Sequence, residues 1–373
     1  QGSSWRGRGE RMVELKDPAP GIVHIPTGGG SRVSDLGVLD GDVLLFGGAY
    51  SNLQALEAML AKARELRIPP ERTIHTGDVV AYCGQPRETT ELLSASGVHC
   101  LMGNCEESVG NDKMDCGCGF PEDSKCNTYS MNWYAHVTKE LVDYPHLRDW
   151  MGGLPQRIEF VVADRRFAVV HGSPRHVSEF LWASTPEEVL LDGLAALPQG
   201  IDGVVSGHSG IPFARFVPAG SGERLWLNAG VIGMPANDGT SRGWFSVLKP
   251  DGAGGIKVEV HALEYDARGA AHAISAQPSL DTAYAGAILN GVWPSHDMLP
   301  VEEHMATGVP LAESAVLWPP RRPKEERCRR LCAAPQGAAG GLSPAAWAVT
   351  VAVASAVVAA ALVMVATRVR RRT

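Results

Sequence analysis

Four short apolar runs in this sequence end the same way, on a glycine beside a polar side chain. They are RTIHTGD (72–78), VHCLMGN (98–104), RFAVVHG (166–172) and GVVSGH (203–208). A β-rich run closed by glycine reads as a strand that ends in a turn. When several strands of one sheet end in this way, their polar residues gather along a single edge, where loops bring distant positions together. This repeated ending restricts the chain to folds that present strand ends to a common site.

The remaining pattern fills in the architecture. VLLFGGAYSNLQALEAML (43–60) reads as a buried strand, a tight turn and an amphipathic helix, with Asn52 placed to cap it and Leu53, Leu56 and Leu60 at helical spacing. Further strands are expected at 158–162, 167–170, 225–227, 244–248 and 257–261, and helices at about 52–67, 86–96, 128–142, 186–197 and 267–276. Strands and helices alternate in the first half, while the later strands are short and closely spaced. An α/β fold of two facing mixed β-sheets flanked by helices would bury such a mixture, and 373 residues suffice for its core. The expected domains are an irregular leader (1–36), the α/β domain (37–302), a basic Pro/Gly-rich linker (303–343), a transmembrane helix (344–367) and a basic tail (368–373).

The transmembrane expectation rests on AAWAVTVAVASAVVAAALVMVA (345–366), an uncharged stretch of about 22 residues, long enough to cross a bilayer. Arg368, Arg370, Arg371 and Arg372 close it, and basic residues also precede it, so charge bias leaves orientation open. The expected localisation is a single-pass C-terminal membrane anchor. The absence of any Asn-x-Ser/Thr sequon fits a cytosol-facing domain. With 34 Lys+Arg against 41 Asp+Glu and a net charge of −7, bulk charge argues against a nucleic-acid binder.

Asp78, Asn104, His171 and His208 form a donor set suited to a divalent Mn, Fe or Zn ion. Each alone has an ordinary structural explanation; the series in this order points to a metal centre. A second group, Cys105, Cys116, Cys118 and Cys126, lies within one short segment and includes Cys-Gly-Cys. It reads either as an additional thiolate-bound metal or as small buried thiols in a Gly-rich loop.

In order along the chain, SNLQAL (51–56), GDVVAY (77–82), GNCEE (103–107), HGSP (171–174), GHSGIPF (207–213) and NAGVIGMP (228–235) resemble the motifs of the calcineurin-like metallophosphoesterases, particularly their small bacterial and archaeal branch. The resemblance spans about residues 42–290. It implies a two-sheet sandwich and a two-metal site that hydrolyses phosphate esters. Carried over position by position, Asp78 matches the aspartate that bridges the metals, and Asn104, His171 and His208 match the other ligands of one metal. The second metal's own ligand positions hold Gly48, Tyr50 and Gly210, and the assisting histidine is replaced by Cys105. Asn52 matches a residue near the substrate phosphate, though it serves equally as a helix cap. Tyr50 either fills a ligand's volume or bonds to phosphate.

The resulting expectation is a membrane-anchored, metal-dependent phosphatase or phosphodiesterase with a reduced, single-cation site, acting on a phosphorylated small molecule. Asp78, Asn104, Cys105 and His171 would carry catalysis, with Cys105 at a helix start where the dipole favours a thiolate. The alternative is a pseudoenzyme that binds a metal or phosphorylated ligand as a sensor.

Overall fold

The computed structural model describes residues 32–321 apart from residue 221. The expected transmembrane helix and basic tail, and most of the linker, lie outside the described residues. Among the described residues no helix is long and apolar enough to cross a membrane.

The strands are β1 (Val33–Val38), β2 (Val43–Phe46), β3 (Thr73–His75), β4 (His99–Cys100), β5 (Arg157–Val162), β6 (Arg165–Val169), β7 (Ile201–Ser206), β8 (Phe213–Ala219), β9 (Gly222–Asn228), β10 (Gly243–Pro250), β11 (Ile256–Leu263) and β12 (Ser314–Trp318). The helices are α1 (Leu53–Glu65), α2 (Pro86–Ala95), α3 (Asn104–Gly110), α4 (Lys125–Glu140), α5 (Pro145–Gly153), α6 (Glu187–Ala195), α7 (Ala267–Ser275), α8 (Ala283–Asn290) and α9 (Val301–Met305). Two six-stranded sheets result, in the orders β1-β5-β6-β7-β9-β8 and β12-β11-β10-β2-β3-β4. Both mix parallel and antiparallel pairs.

Alternation along the strands builds the layers, because successive side chains point to opposite faces. On β2, Val43 and Leu45 enter the core between the sheets, while Leu44 and Phe46 face the helical layer that includes Leu56, Met59 and Trp133. On β6 and β9, Phe167, Leu225 and Leu227 join the central core, and Ala168 and Trp226 pack outward against Leu190 of α6. Burying each of the large apolar side chains among these stabilises the fold by about 1.5–3 kcal/mol. Asn52 accepts the Ala55 N–H at 3.1 Å, and α1 then buries Ala55, Leu56, Met59 and Ala63 along one face.

Two boundaries need correction. Val33–Val38 crosses the limit drawn at residue 36 and pairs in parallel with β5. Ser314–Trp318, read as linker, adds to the edge of the second sheet beside β11. Both are edge strands with largely exposed faces, so neither carries strong apolar alternation. What fixes β12 is Trp318, which is buried against Phe167 at 5.9 Å and lies beneath the Arg165 guanidinium at 3.8 Å.

Candidate metal centre

The turn after β3 sets the first donor. Gly77 and Asp78 both have positive φ, +99° and +67°. A β-carbon on Gly77 would stand 2.7 Å from both the Gly103 nitrogen and His171 Nδ1, so no other residue fits there. Asp78 holds a conformation that is strained for a residue with a side chain, and Glu106 supports it. The Glu106 carboxylate is fully buried and accepts the backbone N–H groups of Asp78 at 2.8 Å, Gly103 at 2.7 Å, and Val79.

Three further elements bring up the other donors. Asn104 opens α3 and is fully buried; its amide nitrogen donates to the Cys116 carbonyl at 2.9 Å, which turns Oδ1 inward. His171 follows β6, with Nδ1 2.8 Å from the Thr76 carbonyl, a contact that places the proton on Nδ1 and aims Nε2 at the centre. His208 follows β7, and its backbone N–H donates to the His171 carbonyl at 3.0 Å. Around His171 Nε2 lie Asp78 Oδ2 at 3.1 Å, Asn104 Oδ1 at 3.1 Å and His208 Nδ1 at 3.0 Å. The donor atoms of Asp78, His171 and His208 all fall within 4.8 Å of one another.

Electrostatics agrees with this geometry. Burial works against the Asp78 carboxylate, yet the charge and hydrogen bond of His171 hold its pKa down at about 2. Burial also opposes charge on His171, but Asp78 overcomes it and raises the imidazole above its ordinary value. His208 is pushed down to about 3, by burial first and His171 second, and stays neutral. A proton on His171 Nε2 satisfies only one of the two oxygen acceptors, Asp78 Oδ2 and Asn104 Oδ1, that face it. One carboxylate with two imidazoles and an amide oxygen is a donor set that a divalent cation satisfies throughout, so the residues fit a metal.

The replaced positions lie beside this group. A β-carbon added at Gly48, where φ is +36°, would fall 2.5 Å from Cε2 of Tyr50 and 2.8 Å from Cγ1 of Val231. The ring of Tyr50 thus fills the volume a side chain at position 48 would need. Asn52, also considered as a phosphate contact, is engaged at both ends of its amide. Its Oδ1 caps α1, and its Nδ2 donates to the Gly233 carbonyl at 3.0 Å. In this structure Asn52 serves as the cap of α1.

The thiolate cluster does not form. Cys116 and Cys118 are joined as a disulfide, which removes both thiolates. Cys126 stands apart, half-buried at the start of α4 beside Ser295 and Asp297. Cys105 does lie at the start of α3, but burial, then Asp78 and Glu106, push its thiol well above the ordinary range. Desolvation and the two acidic neighbours oppose the helix dipole and favour the protonated thiol of Cys105.

Next to His208 opens a cavity lined by Tyr50, Gly210, Phe120, Phe180, Trp182 and Trp293, among others. Sequence reasoning singled out Tyr50 but missed Phe120, Phe180, Trp182, Trp293 and Glu106. Glu106 had a signal, since it falls three residues after the Gly103 that precedes α3, the spacing of a capping box. The aromatic residues come from separate loops and share no periodicity.

The sequence profile of the calcineurin-like phosphoesterases matches residues 33–232. A solved metallophosphoesterase from Sphaerobacter thermophilus aligns with a TM-score of 0.52 at 22% identity, covering 68% of this chain and 100% of that one. A hypothetical protein from Pyrococcus horikoshii OT3 aligns with a TM-score of 0.54 at 17% identity, covering 68% of this chain and 99% of its own. None of the curated proteins matches. The two structural likenesses show the same fold, and the profile, which spans more than half the chain and takes in all four donors, shows that the protein belongs to the calcineurin-like phosphoesterase family.

Proposed function

We propose that the chain is a metal-dependent phosphoesterase that works with one cation, held by Asp78, Asn104, His171 and His208. The observation that carries this reading is the approach of Asp78 Oδ2, Asn104 Oδ1 and His208 Nδ1 to His171 Nε2 at 3.0–3.1 Å, with Nδ1 of His171 already committed to Thr76. A bound cation would supply Lewis acidity and lower the pKa of water. The chain's own residues supply position and charge. Asp78 stays ionised, and its Oδ1 is held by the Cys105 N–H at 3.2 Å. His208 stays neutral, so the four donors carry a single negative charge and leave a divalent ion able to attract a phosphate ester. Gly48, Tyr50 and Gly210 offer no donors of the kind a second cation would use, which supports the single-cation form. The uncharged run 345–366 supports a membrane tether for this domain.

The test combines a metal count on the purified protein with hydrolysis of p-nitrophenyl phosphate and its bis-ester in added Mn. One equivalent of metal and turnover are expected, and Asp78→Ala should lower both, activity by ~100-fold or more. Bound metal without turnover, unaffected by Asp78→Ala, would sink the enzyme reading, and finding no metal would sink the metal centre.

A further inference from the structure

We infer that the cavity beside His208 is a binding subsite for an uncharged, planar aromatic group carried by the phosphorylated ligand. This inference rests on the phosphoesterase reading only for the position of the phosphate.

The cavity begins at the dismantled half of the site, where Gly210 contributes no side chain and Tyr50 lies over Gly48. From there a row of rings leads outward. Phe180 stands 4.3 Å from the His208 imidazole, and Phe120 and Trp182 flank Phe180 at 5.8 Å each, with interplanar angles of 26° and 6°. These rings are stacked with an offset, an arrangement that a further π-system can extend. Trp293 also lines the cavity and donates its indole N–H to the Pro235 carbonyl at 2.7 Å. That bond spends the polar end of the indole and fixes its plane.

Two further observations point to a ligand. No Lys, Arg, Asp or Glu lines the cavity, so it suits an uncharged group. Phe120, Phe180 and Trp293 are only partly buried, so each keeps some surface open to a ligand. They come from three separate loops, after α3, after His171 and after α8, and converge on one opening next to the metal ligands. Preformed, mostly apolar clefts with a few polar groups at one end are the usual form of small-molecule sites.

The test uses the purified, Mn-loaded full chain and three phosphonates that cannot be hydrolysed: benzyl-, hexyl- and methylphosphonate, titrated by calorimetry. Benzylphosphonate should bind about tenfold more tightly than methylphosphonate, a difference of ~1.4 kcal/mol, and more tightly than hexylphosphonate. Phe120→Leu should weaken benzylphosphonate about tenfold more than it weakens methylphosphonate, and Phe120→Tyr should retain the preference. Equal affinities for the benzyl and methyl compounds overturn the subsite, and a preference for hexyl overturns its aromatic character. Benzyl phosphate and ethyl phosphate are then assayed as substrates. A benzyl preference in binding with no hydrolysis of either ester keeps the subsite and removes the phosphoesterase reading. Equal kcat/KM for the two esters, with no binding preference, does the reverse.

Discussion

The ring of Tyr50 occupies the space into which a side chain on Gly48 would project. The two positions are therefore coupled, and the turn is closely packed there. Gly48→Asp alone should destabilise the protein by about 2 kcal/mol, through overpacking and through an unfavourable φ. Tyr50→His in the same chain should recover part of that loss, because it removes the obstructing phenol. Thermal unfolding of the two single variants and the double variant checks this; strictly additive effects would contradict the coupling.

Glu106 is the hidden support of the Asp78 turn. Burial first, and then Asp78, raise the Glu106 carboxyl to about 7, yet both its oxygens accept backbone N–H groups. Glu106→Gln keeps the shape but replaces one accepting oxygen with an NH2 group that faces a backbone N–H. A loss of about 2–3 kcal/mol in stability is expected, together with weaker metal retention, since the turn carries Asp78. Unfolding in urea with metal titration alongside measures both effects. A variant with unchanged stability and metal affinity would show the bonds to be incidental.

Cys105 offers a cleaner contrast. Its thiol is held protonated by burial and by the carboxylates of Asp78 and Glu106, so Cys105→Ser should change kcat on p-nitrophenyl phosphate by less than about threefold. A loss of several hundredfold would restore the nucleophile reading.

Away from the centre, Glu259 on β11 is buried and pairs with Lys249 Nζ and Lys257 Nζ at 2.7 Å each and with His261 Nε2 at 3.0 Å. Burial raises its pKa, but the three partners outweigh burial and bring it down to about 2. A folded-state pKa below the unfolded value means the stabilisation is present above the unfolded carboxyl's pKa and is lost as pH falls towards 2. Both lysines are partly exposed, so the effect is discounted for screening. Glu259→Gln should cost about 1 kcal/mol at pH 7 and progressively less below pH 4. Denaturation midpoints of both proteins across pH 2–7 give the comparison, and a gap that persists at pH 2 would refute it.

The donors and the sheets were legible for one reason. Asp78, Asn104, His171 and His208 each follow a short β-rich run and sit beside a glycine. The pattern suggests the edge of one sheet, but β3 and β4 belong to one sheet and β6 and β7 to the other, so the donors meet between the strand ends of two sheets. The strands β1 and β12 were not legible, because edge strands with open faces lack the alternation that marks a buried one. Nor was the fate of Cys116 and Cys118, since their spacing suits a shared metal as well as a disulfide. The row formed by Phe120, Phe180 and Trp182 arises only when loops distant in sequence meet.

The Cys116 carbonyl that orients Asn104 belongs to a residue bonded to Cys118. Sample handling therefore reaches into the centre. Dithiothreitol in a purification buffer opens the linkage in the loop that aligns one donor, and it adds a dithiol that competes for soft cations. Preparations made with and without reductant are chemically different samples, and a metal content or specific activity is comparable between laboratories only when the oxidation state of that pair is stated with it.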